Sequence, residues 1–490
     1  MYQRPSKKRR IINRVAVYSI MTSSVILIVT FLVFIIMGYR LDTDNGKIER
    51  TALVQFDSVP SGADVMVDGK KISAQTPTKR TILEGEHTFL IQKPGYAPWT
   101  KTIFVKSGTL TWLDYARLIP LDYDVVVQET YSNLYNSSPS PNNKYIAIQQ
   151  EEALPSFDIV DVTANKISST NIVIENKDYS DGSKSGVKHS FEMIDWDQDG
   201  RYILIKHTFD DKKEWLVIDT KNAQNIKNIT KSTSINFDKL EFSGTSGNIF
   251  YGLYEGKVIK FDIESIQPVP KVLISNVQSF DLYKTDVITY IGTTMSEDKI
   301  DRVVGLYREG DAEPHILRTV DSTNIKPLFV ATARYFDEDY LTISEGNKVT
   351  VFHGSYPASG SDDSSSLIFK KLFTTPSDVT RLSMSPDGDY VLAQYGGKFT
   401  SHEVEHDRLN RFEVSGDANI SKLKWLDEDH LFSVFDGKLH MFEFDGGNSV
   451  SINSALSDQA VLLTPTGRYL YSFDKSEKGY VLQRVRLTLP

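Results

Sequence analysis

The sequence predicts a mainly β protein: one N-terminal transmembrane helix, a small β-sandwich, and a β-propeller of eight blades, with seven as the alternative. Three observations lead there. A charge-free run of 25 residues follows a basic tail, residues 52–118 alternate short strands with turn residues, and beyond residue 121 a polar-turn-and-strand phrase recurs eight times.

The helix comes first. Residues 1–14 carry six basic side chains, Arg4, Lys7, Lys8, Arg9, Arg10 and Arg14, and no acidic one; residues 15–39 carry no charge. At about 1.5 Å per residue that run reaches roughly 37 Å, enough to cross a hydrocarbon layer of about 30 Å. A cleaved signal peptide would have a shorter apolar core ending in small residues, whereas this run ends I-I-M-G-Y-R. The expected partner of 15–39 is therefore the lipid bilayer. The positive-inside bias, carried by Lys7, Lys8, Arg9, Arg10 and Arg14, places the tail in the cytoplasm and the remainder outside a single-pass cell membrane anchor.

Composition narrows the rest. Removing the six tail charges from 55 leaves 49 basic side chains against 64 acidic, a net charge near −15, so no nucleic-acid footprint is expected. The chain has no cysteine, which excludes disulfides and thiolate-zinc sites.

A polar stem, 40–51, leads to residues 52–118, where Pro60 and Gly62 mark a turn, Val65 and Val67 alternate with polar neighbours, and Asp68-Gly69 turns again. Further turns fall at Glu84-Gly85 and Pro94-Gly95, so a compact antiparallel β-sandwich is expected. This stretch resembles the PEGA domain family through Pro60, Gly62, Ala63, Asp68, Gly69, Pro77, Gly85, Gly95 and Tyr96, with Ser61 in place of the eponymous glutamate. The resemblance implies an extracytoplasmic β-domain of bacterial envelope proteins with a binding role and no catalytic residues. Trp99 and Trp112 are candidates for stacking on sugar rings, against the plainer reading that they cover the small core. His87, on a strand beside Gly85, reads as a surface or satisfied histidine.

From 121 to 490 the phrase reads S-P-N-N-K-Y-I-A-I at 140–148, D-Q-D-G-R-Y-I-L-I at 197–205, S-P-D-G-D-Y-V-L-A at 385–393 and T-P-T-G-R-Y-L-Y-S at 464–472. Weaker copies start at Asp337, Asp427, Thr245 and Tyr283. A spacing of about 46 residues suits four-stranded blades, in which the turn swings the chain from an inner strand into a hairpin. The region resembles propeller repeats with an S-P-D-G-x-Y core, as in WD-like and periplasmic propellers. The segment 122–129 is positioned to close the ring beside G-Y-V-L-Q-R-V-R-L, and polar stretches at 176–186 and 359–366 read as protruding flexible loops.

Two motifs suggest metals. His402-Glu403-Val404-Glu405-His406 spells the zinc-peptidase signature H-E-x-x-H, which works only on a helix. Here it follows a Gly396-Gly397 turn, so it is expected on a strand, with His402, Val404 and His406 on one face and the imidazoles about 13 Å apart. Asp195, Asp197, Asp199 and Gly200 open like a calcium loop, but Lys206 occupies the twelfth position and Ile203 the ninth. The D-E-D turns at 337 and 427 read as solvated, and no phosphate loop or nucleophile elbow appears. Catalytic residues, metals and cofactors are expected to be none. The expected function is a non-catalytic envelope protein that displays a PEGA module and a propeller to an envelope polymer or a surface protein. The alternative is an extracytoplasmic propeller enzyme acting on wall or surface glycans.

Overall fold

The computed structural model describes residues 7–41, 47–265, 271–283, 285–296, 299–321, 323, 325–356, 366–414 and 423–489. The chain divides into two compact units, Met1–Asp122 with Thr488–Pro490, and Tyr123–Leu487.

In the first unit α1 (Lys7–Ile36) is continuous through the basic segment, so the tail expected over 1–14 is helical from Lys7. Its apolar stretch, Ile11–Ile36, holds 26 residues, roughly 39 Å, and is wholly exposed. The helix ends at Ile36 rather than 39 because Gly38, at φ 84°, turns the chain straight into a sheet. A Cβ on Gly38 would fall on the Thr51 carbonyl and the Gly108 backbone. The close approach is used: Thr51 donates to the Gly38 carbonyl from its N–H at 2.7 Å and its hydroxyl at 2.9 Å, and Gly108 N–H donates to the Thr51 carbonyl.

The stem expected over 40–51 is therefore largely strand: β1 (Tyr39–Leu41) pairs antiparallel with the start of β2 (Ile48–Val59), Arg40 opposite Glu49. The remaining strands of the sandwich are β3 (Asp64–Val67), β4 (Lys70–Gln75), β5 (Thr78–Leu83), β6 (Gly85–Gln92), β7 (Trp99–Val105) and β8 (Leu110–Arg117). β1, β5 and β8 all pair with β2 in one sheet, and β4-β3-β6-β7 form the other. The expected all-antiparallel pairing fails at one place, since β2 and β8 run parallel. Val54, Phe56, Val65, Phe89, Ile91 and Leu113 fill the interior, with the Phe56 and Phe89 rings 5.5 Å apart between the two sheets.

The second unit contains, among the described residues, eight four-stranded antiparallel sheets. Seven are continuous in sequence, starting at Asn136, His189, Lys239, Val277, Leu328, Arg381 and Lys424, here blades 1 to 7. Blade 8 takes three strands from the end of the chain and its fourth, β9 (Val125–Tyr131), from before blade 1. β9 pairs with Gly479–Arg486, Val125 opposite Val485 and Tyr131 opposite Tyr480. The ring has eight blades among the described residues, closed beside G-Y-V-L-Q-R-V-R-L by a strand that overlaps the expected segment 122–129.

Core clusters straddle consecutive blades. Phe157 and Ile159 of blade 1 meet Phe191 and Ile205 of blade 2, and Ile146 and Val160 of blade 1 meet Tyr471 and Phe473 of blade 8. All eight recurring phrases fall at the turn between the first and second strands of a blade. Their leading residue explains the wording. Ser140 Oγ, Ser385 Oγ and Thr464 Oγ1 accept from the N–H of Tyr145, Tyr390 and Tyr469 at 3.0–3.1 Å, and Asp197 and Asp427 do the same for Tyr202 and His430 at 2.7 and 2.8 Å. A short oxygen at that position satisfies the first N–H of the second strand, which the turn would otherwise leave unpaired.

Candidate functional site

The zinc motif dissolves in the structure. The strand Lys398–Glu403 ends inside the hexapeptide and 404–407 turn, with Asp407 at φ 54°, so that Arg408 pairs back onto Glu403. The expected continuous strand is thus corrected: Val404 and His406 lie in a turn, because a four-residue loop is needed to reverse the chain. Each imidazole has its own carboxylate. His402 Nε2 lies 2.8 Å from Asp407 Oδ1, and His406 Nδ1 pairs with Glu403, the residue a peptidase would use as its base.

The calcium-like loop is the turn of blade 2. Asp197 Oδ1 accepts from Arg201 and Tyr202 N–H at 2.6 and 2.7 Å, and Asp195 accepts from Trp196 N–H. At 427, Asp427, Asp429 and His430 bring ligand-capable atoms within 4.8 Å of one another. They form a hydrogen-bonded turn, in which Asp427 Oδ1 accepts from the N–H groups of Asp429 and His430 and lies 2.8 Å from His430 Nδ1. At 337 the solvated reading needs correcting. Asp339 is buried and accepts from Tyr283 Oη at 2.9 Å, Arg334 at 3.2 Å and Tyr356 N–H at 3.3 Å, because its strand position faces Tyr283 of the preceding blade.

One face of blades 5 and 6 concentrates acid. Tyr335 Oη donates to Glu405 at 2.8 Å across the two blades. Asp389, beside Glu403, Asp387 and Glu405, is pushed up to about 7, by burial first and by those like charges second.

The best-assembled cluster has no motif. Glu214 and His207 are fully buried in blade 2, with Glu214 Oε1 2.8 Å from His207 Nδ1 and His207 Nε2 2.9 Å from His189 Nδ1. Burial alone would raise the Glu214 carboxyl. Hydrogen bonds from His207, Asn228, and the hydroxyl and N–H of Ser180 hold it instead at about 2. His207 lies flat between Phe191, at 4.4 Å, and Phe209, at 5.0 Å. Glu214 engages His207 Nδ1 and His207 Nε2 faces His189 Nδ1, so the three side chains form one continuous hydrogen-bonded chain. Burial, then the neighbouring His207, lowers His189 below its ordinary value. Such a chain can relay a proton or orient a base.

The loop 176–186 takes part, which corrects its reading as a protruding loop. Tyr179 is buried with its ring edge 5.0 Å from His207, and Ser180 is bound to Glu214. Of the stretch 359–366, all but Ser366 lies outside the described residues.

The PEGA motif positions are turn and core residues. Asp68 (φ 49°) and Gly69 (φ 77°) make the two-residue turn between β3 and β4; Ala63 and Tyr96 are buried; Gly62 and Gly95 have positive φ, and Pro60 and Pro77 flank β2 and β5. Both His87 nitrogens are engaged, by Asp68 Oδ2 at 2.7 Å and the Leu83 carbonyl at 2.9 Å. The two tryptophans part company. Trp99, 2 % exposed, packs edge-on to Tyr115 at 5.8 Å, whereas Trp112 is 36 % exposed on the outer face.

The PEGA domain model matches residues 51–118. No curated protein matches the chain. Among solved structures it is similar to an oligogalacturonate lyase in complex with manganese (9 % identity, 74 % of this chain and 99 % of that one, TM-score 0.40). It is similar also to a prolyl endopeptidase (13 %, 74 % and 56 %, 0.46) and to apo AztD from Citrobacter koseri (9 %, 80 % and 96 %, 0.38). At these TM-scores the likenesses carry no functional argument, and the blade count rests on this chain's own strand pairing.

Proposed function

We propose that the chain is a non-catalytic, single-pass cell-envelope protein that displays its PEGA module and propeller outside the membrane as a binding or scaffold surface. The observation that carries this reading is the junction at Gly38, where an exposed apolar helix passes directly into the first sheet of the PEGA module. A cleavable leader has no use for the two hydrogen bonds, one from the Thr51 N–H and one from its hydroxyl, that lock its end to the mature domain. The partner is an envelope polymer or a surface protein, recognised on the rigid propeller or on the sandwich. A soluble form, residues 47–490, is expected to co-sediment saturably with purified wall polymer or with a surface-protein fraction. Release of soluble sugar from the polymer would overturn the non-catalytic reading.

A second reading, an extracytoplasmic enzyme acting on wall or surface glycans, is favoured by the chain Glu214, His207, His189. It requires that any polymer turnover by 47–490 falls at least about 100-fold in His189→Gln, the loss typical of a removed general base. Unchanged turnover in that variant would sink it.

A further inference from the structure

We propose that the outer face of the β1, β2, β5, β8 sheet binds anionic lipid headgroups in the leaflet from which α1 emerges, an inference that rests on the anchored topology above. In β2, Val54 and Phe56 point into the sandwich, so Thr51, Leu53 and Gln55 belong to the opposite face. Their cross-strand partners share it: Leu83, Thr81 and Lys79 from β5, Leu110 and Trp112 from β8. Leu53, Leu83, Leu110 and Trp112 are 36 to 46 % exposed, an apolar row across three strands.

A basic rim borders this row. Arg40, Lys79 and Arg80 line a cleft of about 630 Å³ together with Thr51, Leu53 and Leu83; among the described residues that line it the one acid is Glu49, so their net charge is positive within an otherwise acidic exterior. Among the described residues, no ion pair engages the side chains of Arg40, Lys79 or Arg80.

Position selects the ligand. Leu110 stands two residues from Gly108, whose backbone abuts Met37 at the helix exit, and Arg40 follows the helix end by four residues. The face therefore begins within a few residues of the end of the apolar span, at headgroup depth. Guanidinium and ammonium groups match phosphate, and a tryptophan beside leucines suits the polar–apolar boundary of a bilayer. A lipid offers both halves, whereas a soluble polyphosphate would leave the apolar row in water.

The test is native mass spectrometry of the full chain released from nanodiscs of equal phosphatidylglycerol and phosphatidylcholine. Preferential retention of phosphatidylglycerol is expected, with a drop of about tenfold in the triple variant Arg40→Gln, Lys79→Gln, Arg80→Gln. Retention should persist in the charge-conserving triple Arg40→Lys, Lys79→Arg, Arg80→Lys, which guards against a folding artefact. Equal retention of the two lipids, or no change in the glutamine triple, overturns the proposal, as does displacement of the lipid by soluble polyglycerol phosphate. Because the chain lacks cysteine, Lys70→Cys labelled by a membrane-impermeant maleimide reports topology separately. A protected Lys70→Cys would overturn the anchored topology whatever the lipid result.

Discussion

Blade 6 and blade 2 each contain two histidines and a glutamate that could act together, with opposite outcomes. In blade 6 the residues are neighbours in sequence and spell a known metal motif, yet the hairpin separates them into two private pairs. In blade 2 they are scattered over 189, 207 and 214, and the sheet assembles them into one buried chain. Proximity along a strand differs from proximity across a hairpin. The reversal at Asp210-Asp211 sets His207 opposite Glu214, and the preceding pairing sets Phe191 against His207.

The sharpest way to break this contrast is Glu214→Ala, which strands three buried or half-buried donor residues at once. A loss of about 3–5 kcal/mol is expected, together with faster hydrogen exchange over 175–188. A melt matching wild type would mean the cluster is ornamental.

The pH dependence should run in opposite directions at the two blades. Glu214 is held at about 2, below its ordinary value, so its contribution is present in full above about pH 4.5 and is lost as pH falls toward 2. Glu214→Gln should flatten acid destabilisation in that window. Asp389 is raised to about 7, so its ionised form is a burden above neutrality that fades as pH falls through 7. Asp389→Asn should therefore stabilise by about 1–3 kcal/mol at pH 8 and by little at pH 4, read from melting temperatures at the two pH values. Equal gains at both would refute the assigned shift.

A smaller effect is expected at the repeat itself. Ser385→Ala removes the acceptor for Tyr390 N–H and should cost about 1 kcal/mol, while Ser385→Thr should restore most of it. The smallest is at the lure: zinc should not move the melting temperature, and wild type and His406→Ala should respond alike. A zinc-dependent rise confined to wild type would restore the motif.

Much of the architecture was legible because it is written as short-range chemistry. A serine, threonine or aspartate before the second strand satisfies one N–H in five of the eight blades. Asp68-Gly69 announced its turn for the same local reason. What stayed hidden depends on strand parity and pairing across long separations. Trp99 lies opposite the buried Ile91 and Trp112 opposite Gln55, so one is core and the other surface, although both sit in similar apolar company in the sequence. Asp339 looked solvated because its partners are distant in sequence, Tyr283 in the preceding blade and Tyr356 just past the end of a later strand. Residues 176–186 looked loose because Ser180 meets Glu214 only after blade 2 has formed.

The pairing of β9 with the final strand also sets a timetable. Tyr131 and Tyr480 are neighbours in the sheet yet about 350 residues apart along the chain, so β9 is made early and must wait for nearly the whole chain before its partner exists. Until then both it and the growing edge of blade 8 offer unpaired backbone to any passing strand. Vectorial synthesis thus leaves the ring open until Gly479–Arg486 appears to seal it.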